Sequence, residues 1–216
     1  MIKIRERDVY PSVRNIVPHY HEQWMLWPLR GVWDRSRKRA GLFLYHIFRD
    51  NDASGGRDMR LVLYNIRYAT GAGPLHHMPV PFAGSLLPSE RRFRRIGTFL
   101  GTLRPDIVIL VEADRGSYRC GGQSQAESLA VALDGDWQAV FAPKYSPRSM
   151  LMRTPVLRCQ GNALVSRLPV RSVRTHDLRR GMKRQALEVA LDGVTLLIVH
   201  LPLGREARGV QFRELA

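Results

Sequence analysis

Three polar residues stand where apolar runs end, and their types suit work on a phosphoryl group. Asn65 lies in the run at 60–67, Glu112 directly follows Leu110 and Val111, and His200 directly follows Leu197, Ile198 and Val199. An amide, a carboxylate and an imidazole carried at strand ends can converge on one rim of a sheet. An oxygen-rich Asn/Glu pair suits a hard cation such as Mg²⁺. A histidine titrating near neutrality can hydrogen-bond a phosphoryl oxygen or shuttle a proton. Spacing alone is equally served by satisfied loop or core groups, so the elements that position these residues decide the matter.

Those elements alternate between strand and helix after residue 58. Residues 60–67 read as a strand. Residues 70–88 form a Gly/Pro loop. Residues 89–103 place Phe93, Ile96, Phe99, Leu100 and Leu103 on one helical stripe, with Arg91, Arg92, Arg94 and Arg95 mostly outside it and Ser89 as a cap. The near-continuous apolar run at 105–111 suits a strand buried on both faces. A short helix is expected at 124–133, strands at 137–142 and 161–166, and a helix at 206–215. Residues 186–191 and 194–199, joined by Asp192 and Gly193, predict a hairpin. This hairpin-rich second half disfavours a purely doubly wound sheet and points to a mixed α/β (α+β) fold.

The residues before this region differ in character. Residues 1–58 carry 11 basic and 7 acidic side chains and show no sustained period. They read as an N-terminal extension to a domain at 59–216. Trp24, Trp27 and Trp33 read as part of a local mini-core or docked helix rather than a membrane-surface segment. The hydrophilic stretch at 49–58 reads as a connector.

Composition bounds the class. The chain has 216 residues, room for one ordinary domain with or without an extension. Lys plus Arg is 34 against 19 Asp plus Glu, a net charge of +15, and only four of the 34 are lysine. Such a chain is drawn to polyanions: nucleic acid, acidic headgroups or phosphorylated substrates. Two cysteines, Cys120 and Cys159, exclude a disulfide framework or a zinc site. No apolar window is long enough to span a membrane and the start lacks an apolar signal-peptide core, so a cytoplasmic protein is expected. The pair His76 and His77 is explained by loop composition. His176 and Asp177 read as a turn or surface pair. Asp114 and Arg115 read as rim-shaping residues or a solvated turn.

Four stretches occur in a telling order: Leu-Tyr-Asn-Ile-Arg at 63–67, Arg-Pro-Asp-Ile-Val-Ile-Leu-Val-Glu-Ala at 104–113, Gly-Asn-Ala-Leu-Val-Ser-Arg at 161–167 and Leu-Leu-Ile-Val-His-Leu at 196–201. Together they resemble the endonuclease/exonuclease/phosphatase superfamily, the DNase I-like metal-dependent phosphoesterases. The resemblance implies a four-layer sandwich of two mixed β-sheets flanked by helices. It implies that Glu112 ligates Mg²⁺ or Mn²⁺, that His200 contacts the scissile phosphate and that Asn65 helps place metal or phosphate. It also implies that Asn162 is a rim and packing residue and that Arg184 lies near the anion site.

The sequence departs from that family after residue 200. The Asp-x-Asn and Asp-His motifs, which position phosphate and activate the attacking water, do not follow. This predicts a domain incomplete at its C terminus and puts its activity in question, because such groups act as a unit. Two functions remain open at this level. One is a Mg²⁺-dependent phosphodiesterase or nuclease acting on a phosphodiester or phosphomonoester, nucleic acid included. The other is a non-catalytic, basic remnant of that fold which binds nucleic acid or anionic surfaces.

Overall fold

The computed structural model describes residues 59–70, 89–181, 185–192, 194–202 and 204–215, together with the backbone of residues 2–3 and 42–47. In chain order the strands are β1 (Ile2–Lys3), β2 (Leu42–Ile47), β3 (Met59–Asn65), β4 (Ile107–Asp114), β5 (Gln138–Pro143), β6 (Gln160–Ser166), β7 (Val170–Asp177), β8 (Gln185–Leu191) and β9 (Val194–Val199). The helices are α1 (Glu90–Thr102), α2 (Gln125–Ala132) and α3 (Arg205–Leu215).

These strands form two mixed or antiparallel sheets. One has the order β2-β3-β4-β6-β5 and the other β1-β9-β8-β7. Strands β3 and β4 run parallel, with α1 in the crossover between them, and β6 is antiparallel to both β4 and β5. The segment before residue 59 lends an outer strand to each sheet, β2 beside β3 and β1 beside β9.

The period-two geometry of the strands explains the apolar runs. Leu61, Leu63, Ile107, Ile109, Val111 and Leu164 point inward, where they pack on Leu187, Val189, Leu196 and Ile198 of the other sheet. Their neighbours Val62, Val108, Leu110, Ala163 and Val165 point outward, under Phe93 and Leu100 of α1 and Leu129 of α2. Both faces of β4 are therefore buried, which is why its sequence is apolar without alternation. On the far side of the second sheet, Ala186, Leu197 and Val199 pack with Leu178 and with Leu215 of α3. The result is the expected DNase I-like layering: helices, sheet, sheet, helix.

The expected hairpin forms between β8 and β9, with Leu191 paired to Val194. One local reading is narrowed and one corrected. His176 and Asp177 are a surface pair rather than a turn; they end β7, an edge strand exposed along nearly its whole length. With no buried face, Val-Arg-Ser-Val-Arg-Thr-His-Asp shows no apolar alternation, and its charges suit an edge. Ser89 does precede α1, but its side chain makes no cap bond. Its hydroxyl instead donates to the Arg119 carbonyl at 3.2 Å, tying the helix start to the loop after β4. Arg91, Arg92, Arg94 and Arg95 are exposed, as the stripe required. Among the described residues, no helix is long and apolar enough to cross a membrane. The loop at 71–88 and the tryptophan segment at 24–33 lie outside the described residues.

Candidate active site

Topology brings four strand ends to one rim. The parallel pair β3 and β4 ends there together, with Asn65 paired to Val111, one residue before Glu112. The antiparallel β6 starts there, with Gln160, Gly161 and Asn162. From the second sheet, β9 ends there and delivers His200.

A bulge aims Glu112. Across β4 and β6, Leu110 pairs with Ala163 and Ala113 with Gly161, so Val111 and Glu112 together oppose Asn162. Glu112 takes the left-handed conformation, φ 58°. That conformation costs an L-residue about 1–2 kcal/mol, and bulges of this kind re-aim side chains at functional rims. Asn162 holds the bulge by accepting from the Glu112 backbone N–H at 3.4 Å. The carboxylate then reaches across the sandwich, with its Oε1 3.6 Å from Nε2 of His200. Both side chains are largely but not wholly buried. Next to them, a Cβ built on Gly161 would lie 2.0 Å from the Ala142 carbonyl oxygen, so only glycine fits before Asn162.

The structure thus unites Glu112, Asn162 and His200. Asn65 stands at the same rim one strand away, and its Oδ1 accepts from the Arg67 N–H at 3.1 Å. That bond opens a turn in which Arg67, Tyr68 and Ala69 all have positive φ, 47°, 56° and 55°. Successive left-handed L-residues are unusual, and such strain gathers at functional sites. Arg184 lies outside the described residues, as do His76 and His77.

Sequence reasoning missed a polar cluster beside this rim. The turn after β3 delivers Tyr68, and residues just after β5 deliver Lys144 and Tyr145. Lys144 Nζ lies 3.1 Å from the Tyr68 hydroxyl and 3.5 Å from Gln160 Oε1, which also takes the Tyr145 hydroxyl at 3.5 Å. Burial pushes the Tyr68 phenol well above its ordinary value, and the Glu112 charge adds to this. The Tyr145 phenol rises for the same two reasons, burial first. The available signal was the rarity of lysine in an arginine-rich chain.

Beneath the rim lies a charged pair with no exposure at all, Asp114 and Arg119. Asp114 accepts from Nε of Arg119 at 2.9 Å and also from its Nη2. It further accepts from the Ser117 hydroxyl at 2.5 Å and from the N–H groups of Gly116 and Ser117 at 3.0 and 2.8 Å. Arg119 stacks 4.8 Å from the centroid of the Tyr68 ring. Gln125 of α2 receives the Asp114 N–H at 2.9 Å and donates to the Tyr68 carbonyl at 3.1 Å. The ends of β3 and β4 are therefore locked to one another and to α2. Asp114 is not a solvated turn residue.

Cys120 belongs to the same layer. Burial, then the nearby Asp114 charge, pushes its thiol up to about 12. The fold thus favours the neutral thiol. Its contribution to stability is complete below the ordinary value of 9.0 and is lost as pH rises toward about 12. Tyr68 and Tyr145, also raised, act in the same direction. Urea denaturation should therefore show stability declining above about pH 9, with Cys120 resisting alkylation in the native protein at pH 8. Rapid native-state alkylation of Cys120 would contradict this placement.

The donor set can be tested against the implied cation. Among the described residues, no group of three His, Cys, Asp or Glu side chains is placed to hold a metal. One carboxylate with amide oxygens nearby is no closed cage. It does fit Mg²⁺, which keeps several waters and is commonly held by one or two carboxylates plus substrate phosphate.

No family model matches the chain, and no curated protein matches it. Among solved structures, the chain is similar to an endonuclease/exonuclease/phosphatase from Beutenbergia cavernae, with 22% identity, 74% of this chain and 43% of that one covered, and a TM-score of 0.48. An endonuclease/exonuclease/phosphatase family protein from Leptotrichia buccalis gives 10% identity, coverage of 73% and 61%, and a TM-score of 0.48. TDP2 from Caenorhabditis elegans gives 18%, 58%, 35% and 0.39. The chain spans less than two thirds of the length of each of these proteins. The resemblance of this chain to the endonuclease/exonuclease/phosphatase superfamily rests on the four ordered motifs of its own sequence.

Proposed function

We propose that the rim holding Glu112, Asn162 and His200 is a hydrolytic site for phosphoric esters. The observation that carries this reading is the 3.6 Å approach of His200 Nε2 to Glu112 Oε1 across the two sheets. Glu112 would hold Mg²⁺, with Asn162 fixing its backbone and Asn65 lying at the same rim. The bound cation would supply charge to offset the negative charge that develops on the phosphoryl oxygens. His200, with one ring nitrogen near the carboxylate, hydrogen-bonds a phosphoryl oxygen and holds a proton there. The largely buried setting strengthens both contacts by limiting competition from water. Hydrolysis breaks the phosphorus–oxygen ester bond as water adds to phosphorus.

The test is turnover of bis(p-nitrophenyl) phosphate with Mg²⁺ and with EDTA. Turnover should need the cation, and His200→Ala should lower kcat/KM by about 10²-fold or more. Turnover that is indifferent to EDTA and to His200→Ala would sink the reading. The +15 net charge favours a second reading, binding of nucleic acid or anionic surfaces without turnover. Salt-sensitive binding to a single-stranded oligonucleotide, with no hydrolysis in Mg²⁺, would select it.

A further inference from the structure

We propose that Lys144 is a phosphate-positioning residue of this site, holding an oxygen of the phosphoryl group beside Glu112; this rests on the hydrolytic reading above.

Three observations carry it. First, the ammonium is fixed rather than free to sweep. Its Nζ sits 5.7 Å from the Tyr68 ring centroid and 5.2 Å from that of Tyr145, a two-sided aromatic clasp. The Tyr68 hydroxyl lies 3.1 Å and Gln160 Oε1 3.5 Å from the same atom. A lysine gives up rotamer entropy when immobilised, so pre-fixing it lowers the cost of binding an anion.

Second, the clasp is built from the elements that build the rim. Tyr68 lies in the strained turn opened by Asn65, and Gln160 lies two residues before Asn162 on β6. The Lys144 N–H also donates to the Gln160 carbonyl at 2.8 Å, so backbone and side chain are tied to the same residue. Tyr68 is in turn wedged by Arg119 from the layer below.

Third, the residue type is informative. Thirty of the 34 basic residues are arginine. An arginine fork is planar and wide, whereas lysine presents a compact point charge, the form suited to a single phosphate oxygen in a narrow place. Tyr68 and Tyr145 are buried to within a few per cent of full burial, so the clasp offers no flat face on which a base or ring could stack. Recognition here is of the phosphoryl group alone.

Inorganic phosphate is the direct probe, titrated calorimetrically into the full chain with Mg²⁺ present. Lys144→Met should weaken phosphate binding by about tenfold or more, the loss expected for one charge-assisted hydrogen bond. Lys144→Arg should restore part of it, which a purely structural role would not produce. Where turnover is measurable, Lys144→Met should raise KM for bis(p-nitrophenyl) phosphate more than it lowers kcat. Phosphate affinity within twofold of the parent in a Lys144→Met chain with native circular dichroism would overturn the proposal. If that variant unfolds, Lys144→Gln, which removes the charge but keeps a polar end group, reads the same titration. Failure of the hydrolytic reading is separately visible. Phosphate binding would still depend on Lys144, but no variant, Glu112→Gln included, would alter any turnover.

Discussion

Arg119→Met is expected to destabilise the protein by about 3–5 kcal/mol, the loss typical when one partner of a buried ion pair is removed. Arg119 and Asp114 have no solvent exposure, so neither charge is screened by water. The substitution keeps side-chain bulk but strips Asp114 of its two guanidinium donors and removes the cation stacked on Tyr68. Asp114 cannot be rescued simply by neutralising it. Its carboxylate also accepts from Gly116 N–H, Ser117 N–H and the Ser117 hydroxyl, so Arg119→Met with Asp114→Leu leaves those donors unsatisfied. The double variant should therefore recover only part of the loss. Urea denaturation of the two single variants and the double variant measures this, and a loss below about 1 kcal/mol for Arg119→Met would show that the pair contributes little net stability. Against a typical total of about 5–15 kcal/mol, the expected loss is large. It should be felt at the rim, because Asp114 ends the strand that carries Glu112 and Arg119 wedges Tyr68.

The contrast between Glu112 and Arg119 shows what sequence can convey. Glu112 was legible because it directly follows an apolar run, and the end of a buried parallel strand is a place where a polar residue has a reason to be. His200 was legible in the same way, and the layers followed from periodicity: an uninterrupted run for β4, the Asp-Gly link for the β8–β9 hairpin, the stripe for α1. The other polar residues beside the rim follow no such period. Arg119 sits in a single 3-10 turn at 118–120 and Lys144 just past the end of β5, where surroundings are decided by long-range contacts to Tyr68 and Gln160 rather than by spacing. Tyr68 lies in a turn of three left-handed residues, a conformation that no apolar pattern announces. β7 was missed because an exposed edge strand leaves no apolar alternation to read. The bulge at Glu112 was equally silent, since a bulge changes register without changing residue type.

That bulge supports the second large prediction. Glu112→Gln and Glu112→Gly should each abolish Mg²⁺-dependent hydrolysis, lowering kcat/KM by about 10³-fold, while moving stability in different ways. Glutamine keeps the length of the side chain and the strained φ of 58°, so it removes the charge and little else. Glycine adopts that φ without the cost of about 1–2 kcal/mol borne by an L-residue. It loses about 0.5–1 kcal/mol through its freer unfolded chain. The net expectation is a Glu112→Gly protein as stable as the parent or up to about 1.5 kcal/mol more stable. Urea denaturation and calorimetric titration with Mg²⁺ read the two effects separately. If Glu112 served packing, glycine would cost stability and the cation would bind as before. If it serves the site, the variant gains stability and loses the metal, because the backbone bears the strain in order to aim a carboxylate at His200. That pairing of outcomes is the signature of strain held for function. Retained turnover or unchanged Mg²⁺ affinity in Glu112→Gln would remove Glu112 from the chemistry and leave the bulge without a catalytic reason.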